Sequence, residues 1–391
     1  MPGRPAKSIF AEKLLRRART RARPFPWRRS RNPYRIWISE IMLQQTRVEA
    51  VIPYFLRFVK RFPSVRALAA ARWESVLGMW EGLGYYARAR NLHRAAKQIS
   101  TERKGRLPQC ADAWGTLPGV GRYTAAAIAS LAYDEPAVAL DANVRRILSR
   151  VFGYRRTVRD ARADGDLTQR FVQARGSAKP SAFLQAMMDL GQGICLPRQP
   201  RCGECPVSSA CTAFRSGWQN RLPVRPARRQ VPFVDVTAAL FIRDGKVLLA
   251  RRPEGKILAG MWEFPGGKRE RGEGLAACLR RELREELGIS VRVGRKFTAV
   301  DHAFTHLRIR LHVFQCDSLR GKPRPIGAEA VRWVNIRDLS KYPMGKADRM
   351  VSDQIARQRD IKSAAANIVE DSEKQLWLAA DGVLYMLKLK P

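Results

Sequence analysis

From Ile36 onward, apolar residues recur at spacings of three and four, and IWISEIMLQQTRVEAVIPYFLRFVKRF carries this rhythm throughout. That period predicts helix. Pro63-Ser64 opens another helical run, SVRALAAARWESVLGMW, with Ser64 as its N-cap. EGLGYYARARNLHRAAKQIS reads as a turn followed by a basic helix. LPGVGRYTAAAIASLAYDEPAVALDAN then sets a tight turn, Pro118 to Gly121, before an Ala-rich helix, and reaches Asp141 just past an apolar run. Helical patterning continues to about Leu190, and no alternating strand precedes residue 230. Residues 1–215 are therefore expected to form an all-α domain.

The pattern changes after Cys211. RSGWQNRLPVRPARRQVPF, rich in proline and arginine, predicts an extended basic linker over residues 216–230. Alternation then takes over. VDVTAALFIRDGKVLLARR reads as two strands joined at Asp244-Gly245, a hairpin signal. A Gly-rich loop, a charged helix from Leu275 to Leu287, and strand-like runs LRIRLHVFQC and AVRWVNI follow. Residues 231–358 are expected to form an α/β domain. In the remaining 359–391, LWLAADGVLYMLKL predicts one more hairpin on Asp381-Gly382, with no functional reading.

A chain of 391 residues exceeds one ordinary core, in keeping with two domains. The formal net charge of +38 points to a polyanion, because each neutralised phosphate releases counterions. An anionic membrane would attract the same charge. No apolar run reaches spanning length, however, and the first residues lack the apolar core of a signal peptide. The basic residues are also dispersed along the chain. Nucleic acid is the expected partner, in the cytoplasm and, if the source is bacterial, at the nucleoid.

Four of the seven cysteines, Cys195, Cys202, Cys205 and Cys211, cluster with intervals of six, two and five residues. Without an export signal, clustering points to a metal site rather than disulfides. Four thiolates suit either zinc or an iron–sulfur cluster. The loop between them is too short for a domain, so its role is expected to be structural, with Arg198 and Arg201 positioned to meet phosphates.

Two carboxylates stand out. Glu40 lies among Trp37, Ile38, Ile41, Met42 and Leu43, where burial would raise its pKa toward a general acid's range. Gln44, Gln45 and Thr46 add neutral groups of the kind that read base edges. In the second stretch, the glycines of Pro118–Gly121 let backbone N–H groups approach an anion, helped by the positive end of the next helix. Asp141 follows some twenty residues on. A solvated helical glutamate and an ordinary turn are the plain alternatives.

PWRRSRNPYRIWISEIMLQQT, WEGLGYYARARNLH, LPGVGRYTAAAI, LDANV and the cysteine spacing together resemble the MutY family of adenine DNA glycosylases. That family lies within the helix-hairpin-helix superfamily that also holds endonuclease III. The motifs fall in order across residues 23–215. The resemblance implies a helix-hairpin-helix glycosylase domain with a 4Fe–4S cluster on the four cysteines. It implies a monomer that excises adenine mispaired with 8-oxoguanine or guanine in double-stranded DNA. Glu40 matches the general acid that protonates adenine N7, and Asp141 the carboxylate that stabilises the oxocarbenium-like sugar. Tyr123 and Asn143 match residues supporting them. Gln45 and Tyr85 resemble residues wedged into the duplex, with Leu43 and Thr46 alongside; Trp27, Arg28 and Gln185 resemble parts of the adenine pocket. Leu117, Pro118, Gly119, Val120 and Gly121 match the backbone grip. Endonuclease III-like enzymes carry a lysine where Tyr123 stands. A phenol forms no Schiff base, so a monofunctional glycosylase is implied. Ala142 departs from the family's usual glycine, a strained exchange if the position needs positive φ.

GMWEFPGGKRERGEGLAACLRRELREELGI contains a complete Nudix box, with Gly267, Glu273, Arg281, Glu282, Glu285, Glu286 and Gly288 at the expected intervals. Glu282, Glu285 and Glu286 share one helix face, where carboxylates can hold Mg²⁺ against a diphosphate. The domain is thus Nudix-like and resembles MutT. In the MutY family such a domain generally recognises 8-oxoguanine, and Phe304, Thr305 and His306 match the family's recognition tip. A bifunctional enzyme that also hydrolyses oxidised nucleoside triphosphates is the alternative, and a catalytically silent mismatch-binding protein is a second.

Overall fold

The Ala-rich helix Arg122–Tyr133 is the axis of the first unit: every residue from Thr124 to Ala132 is buried. Small side chains let neighbours approach closely, and helices Pro33–Leu43 and Pro180–Gly193 pack directly on it. The protein, here a computed structural model, is described over residues 6–21, 23–158, 161–224, 231–304, 307–366, 368–370, 376–380 and 383–386. It divides into two units, Met1–Arg229 and Gln230–Pro391.

Large aromatic side chains make up part of the helical unit's core. Trp37 and Trp114, both fully buried, meet with ring centroids 5.5 Å apart, and Phe58 stands edge-on to Trp80 at 5.8 Å. Two of the long periodic runs are broken. The first splits into Pro33–Leu43 and Val48–Arg61, with Gln45 turned to φ +57 between them. The second, read from its pattern as one helix, is Val65–Ala70 followed by Trp73–Trp80. Ala71 and Arg72 are extended there, and the freed Ala71 carbonyl lies 3.0 Å from His93 Nε2. A tertiary partner outweighs helix propensity at that point. Ser64 caps as expected, its side chain accepting from Ala67 N.

Residues 216–224, which composition placed in the linker, are packed on the helical unit. Leu222 is buried and its carbonyl accepts from Arg150 Nε at 2.9 Å, while Arg155 stacks on Trp218. Residues 225–230 lie outside the described part of the chain.

In the second unit, β1 (Phe233–Leu240) runs parallel to β6 (Arg308–Arg320), which pairs antiparallel with β5 (Ser290–Ala303). A second sheet joins β2 (Ile242–Arg243), β3 (Lys246–Arg251), β4 (Trp262–Glu263) and β7 (Ala330–Asn335). Asp244 and Gly245, both at positive φ, form the β2–β3 turn that the Asp-Gly pair predicts. The run VDVTAALFIR is split at Phe241 between the two sheets. Alternation along β1 serves two cores. Ala238 and Leu240 face a cluster closed by Val351 and Ile355 of helix Lys346–Ala366, whereas Ala239 and Phe241 meet Leu279 and Leu283 of helix Leu275–Leu287. Near the chain end, strands Leu376–Ala380 and Val383–Met386 pair antiparallel, with the Asp381-Gly382 turn itself outside the described residues.

Gly266 lies where chain and strand meet most tightly. Thr237 N bonds to Gly267 O and Ala239 N to Pro265 O, each at 2.8 Å. A Cβ on Gly266 would sit 2.1 Å from the Thr237 carbonyl oxygen, at φ +152. Gly266→Ala is expected to cost about 1–3 kcal/mol or more by forcing β1 aside. Urea unfolding of the full chain checks this; a variant as stable as the parent would show that β1 yields freely.

Candidate active site

Helix Pro33–Leu43 begins under an Asn32 cap and is buried on nearly every side from Ile36 to Met42. Glu40, on this helix, is 5 % exposed. Tyr123 Oη, one residue inside the Ala-rich helix, donates to Glu40 Oε2 at 3.4 Å. Burial pushes the Glu40 carboxyl up to about 7, with the nearby charge of Asp141 adding to the effect; the Tyr123 hydrogen bond and the Arg28 charge oppose it. The phenol of Tyr123 is held far above its usual range by burial and by both carboxylates, so it stays a donor.

Asp141 is the N-cap of helix Ala142–Val151, an Asp placed where helix starts favour one. Its Oδ1 accepts from Val144 N at 2.6 Å and its Oδ2 from Asn143 Nδ2 at 2.8 Å. The carboxylate is therefore fixed from two sides. Ala142 is the first helical residue and is not among the residues at positive φ. The backbone there runs as an ordinary right-handed helix, so the alanine brings no strain.

Asn143 is held in its turn. Its Oδ1 accepts from Arg146 Nη2 at 2.9 Å, and Arg146 also donates to the carbonyls of Gly191 and Cys195, each at 2.8 Å. Gly191 is required here, since a Cβ would lie 2.8 Å from Asn143 Cβ. Four residues on, the buried Arg150 donates to Cys195 Sγ at 3.3 Å and to the Leu196 carbonyl at 2.6 Å. Cys195, Cys202, Cys205 and Cys211 all line one small cavity beside Arg150 and Val207. Among the described residues, no three His, Cys, Asp or Glu side chains converge tightly enough to hold a single ion.

Glu40 opens onto a cavity lined also by Trp27, Arg28, Leu43 and Gln185. Trp27 is buried, stacked on Phe25 at 5.2 Å. Arg28 sits under a mostly buried ion pair, Nη1 donating to Asp189 Oδ2 at 2.8 Å and Oδ1 at 3.0 Å. The structure therefore gathers Glu40, Tyr123, Asp141 and Asn143 with three of the expected pocket residues.

On the same unit, Gln45 and Tyr85 stand exposed on two loops, at φ +57 and +52. Thr46 Oγ1 and Gly84 O both accept from Arg88. The Leu117–Gly121 turn is anchored by buried Leu117 and Val120, and Gly119, at φ +75, abuts Asn91. Among the described residues, nothing lies where a Gly121 Cβ would be.

In the second unit, Glu282 and Glu286 are mostly covered and Glu285 is exposed. Arg281 stands between them, donating to Glu273, Glu282 and Glu285 at 2.9 to 3.1 Å. Gly267 fits closely against the Glu282 carboxylate. Phe304 is half-buried against the core, and Thr305 and His306 lie outside the described residues.

Arg88, Arg146, Arg150 and Asp189 were not singled out from the sequence. Arg88 does carry a signal: it falls on the apolar stripe of its helix, with Leu92, Ala95 and Ile99. A charge in a stripe that packs inward must find partners or pay in desolvation.

Residues 38–171 match the HhH-GPD superfamily of base excision DNA repair proteins, and residues 237–354 match the NUDIX domain. The adenine DNA glycosylase of Mus musculus is 32% identical over 404 residues, covering 88% of this chain and 78% of its own length. That of Homo sapiens is 32% identical over 386 residues, covering 84% and 70%. Among solved structures, a thermostable thymine-DNA glycosylase aligns at a TM-score of 0.49 and 29% identity, covering 54% of this chain and 97% of its own. With two relatives matched over most of both chains, and with a helical repair domain ahead of a Nudix-like one, the chain belongs to the adenine DNA glycosylase family.

Proposed function

We propose that the chain excises adenine mispaired with 8-oxoguanine or guanine in duplex DNA, acting as a monomer and without cleaving the strand. The buried Glu40, next to Tyr123 and Asp141 on the wall of a cavity, carries this reading. An adenine must leave the stack before its glycosidic bond is reachable. Gln45 and Tyr85 enter the duplex as wedges, Trp27, Arg28, Leu43 and Gln185 receive the base, and the Leu117–Gly121 turn grips the strand where Gly121 leaves its face open.

Glu40, protonated, gives its proton to adenine N7, and the bond between the base and the sugar breaks toward the base. Asp141 faces the oxocarbenium-like sugar, and water completes the abasic site. The two carboxylates divide the labour as paired acids do in glycoside hydrolysis. Tyr123 offers a hydroxyl where an amine would be needed for a covalent Schiff base.

The four cysteines ring one cavity, which suits the 4Fe–4S cluster that the family resemblance implies. Such a cluster would cross-link the 195–211 loop, leaving Arg146 and Arg150 to tie that loop to the Asp141 helix. For the domain from 231 to 358, the role is recognition of the 8-oxoguanine partner through Phe304, Thr305 and His306. The intact Nudix box supports a second reading, Mg²⁺-dependent hydrolysis of oxidised nucleoside triphosphates. No helix among the described residues is long and apolar enough to cross a membrane.

Single-turnover excision from an A:8-oxoguanine duplex, read after alkaline cleavage of abasic sites, is the decisive assay. Because the general acid works protonated, the rate is expected to hold below pH 7 and fall about tenfold per unit above the Glu40 value of about 7. A rate flat from pH 6 to 9 would remove Glu40 from the role. Glu40→Gln should lose at least ~100-fold in rate. The same variant should be more stable than the parent at pH 8, since a carboxyl raised on folding destabilises the protein as pH climbs from 4.5 through 7. Asp141→Asn should keep the helix cap, and so its urea midpoint, while losing excision.

For the second reading, the full chain is incubated with Mg²⁺ and a panel of triphosphates that includes 8-oxo-dGTP. The expected outcome is no release of pyrophosphate or phosphate. Turnover that disappears in Glu285→Gln would establish bifunctionality instead.

A further inference from the structure

Two separate loops present Gln45 and Tyr85, and both residues adopt positive φ, a conformation that side-chain-bearing residues hold at a cost of about 1–3 kcal/mol. Something must keep them there. Between the loops lies Arg88, only 8 % exposed. Its Nη1 donates to the carbonyls of Ile41 at 3.0 Å and Met42 at 2.7 Å, and to that of Gln44. Its Nη2 reaches Thr46 Oγ1 at 3.1 Å and Gly84 O at 3.0 Å, and Nε turns toward Tyr85 O at 3.4 Å. The rings of Tyr85 and Trp80 cover it at 5.2 and 5.5 Å.

The partners are neutral oxygens on both sides of the gap. The Ile41 and Met42 carbonyls belong to the last turn of the Glu40 helix, where the helix's own N–H ladder has run out. A cation there also meets the negative end of the helix. Burying a guanidinium among neutral oxygens is unfavourable, and burial draws the Arg88 pKa down to about 10. What the site gains is a rigid fork of five donors, which no other side chain supplies.

We infer that Arg88 is a positioning residue that locks the Gln44–Thr46 and Gly84–Tyr85 loops together, so that Gln45 and Tyr85 enter DNA as one preset unit. The inference rests on the reading of those two residues as wedges. It adds that the two are not independent: extrusion of the base depends on a single guanidinium that touches neither DNA nor adenine.

Arg88→Lys tests this, since it keeps the cation but loses the fork. Base extrusion is followed by the fluorescence of 2-aminopurine placed beside the A:8-oxoguanine pair, and excision by single-turnover rate. Extrusion and excision are expected to fall about tenfold, the equivalent of losing part of the strain that Arg88 holds. The pH midpoint of excision should not move, because Glu40 keeps its surroundings. In a Gln45→Ala/Tyr85→Ala background, Arg88→Lys should cost nothing further, because its effect runs through those residues. Losses that multiply in that background, or a shifted pH midpoint, would overturn the inference in favour of general support of the fold. If Gln45→Ala/Tyr85→Ala alone left extrusion intact, the wedge reading itself would fall, whatever Arg88→Lys did. Should Arg88→Lys not fold, Thr46→Val removes one partner on one loop and is read in the same cycle.

Discussion

Everything at this site depends on keeping a carboxyl out of water. Glu40 is surrounded by the apolar residues of its own helix, and its desolvation is the largest influence on its protonation. A charged neighbour of the wrong strength would undo that. Arg28 lies close enough to favour the ionised form, yet its own charge is largely committed to Asp189. Asp141 pushes the other way, and its own side chain is fixed by a backbone N–H and an amide. The two acids therefore differ through their surroundings: one is buried among apolar groups, the other is a helix cap.

Fixing these groups falls mostly to arginines turned inward. Arg88 closes the end of the Glu40 helix, while Arg146 joins Asn143 to the Gly191 and Cys195 carbonyls, and Arg150 joins the next turn to the cysteine loop. Each binds backbone oxygens more than side chains. The net charge of +38 thus mixes two populations. Many basic residues lie on the surface, where they favour DNA; a few are internal ties whose charge is incidental to their geometry.

The helical period, the change to alternation near residue 230, and the Asp244-Gly245 turn were legible because each is a local pattern with a local cause. Glu40, Tyr123 and Asp141 were legible through motifs, and the structure brings them together across 101 positions of sequence. Helix breaks were not. Ala71 ends a helix because His93 takes its carbonyl, and Gln45 turns because Arg88 gathers the carbonyls around it. Both causes lie far away in sequence. The inward arginines were hidden for a different reason: in a chain with 73 lysines and arginines, one more draws no notice unless its place on an apolar stripe is checked. The stretch 216–224 misled through composition, since proline and arginine there coexist with Trp218 and Leu222, which pack.

Arg88 also differs from an ordinary ion pair in what it asks of its neighbours. An acid–base pair constrains two side chains at once, and a change in either must be answered by the other. A guanidinium seated on carbonyls constrains mainly itself, because Ile41, Met42 and Gln44 would each offer the same oxygen under other side chains. The loops around it are free to drift in sequence, and so to vary what they present to DNA, provided the backbone path and that one residue persist. Thr46, which accepts through its hydroxyl, is the exception.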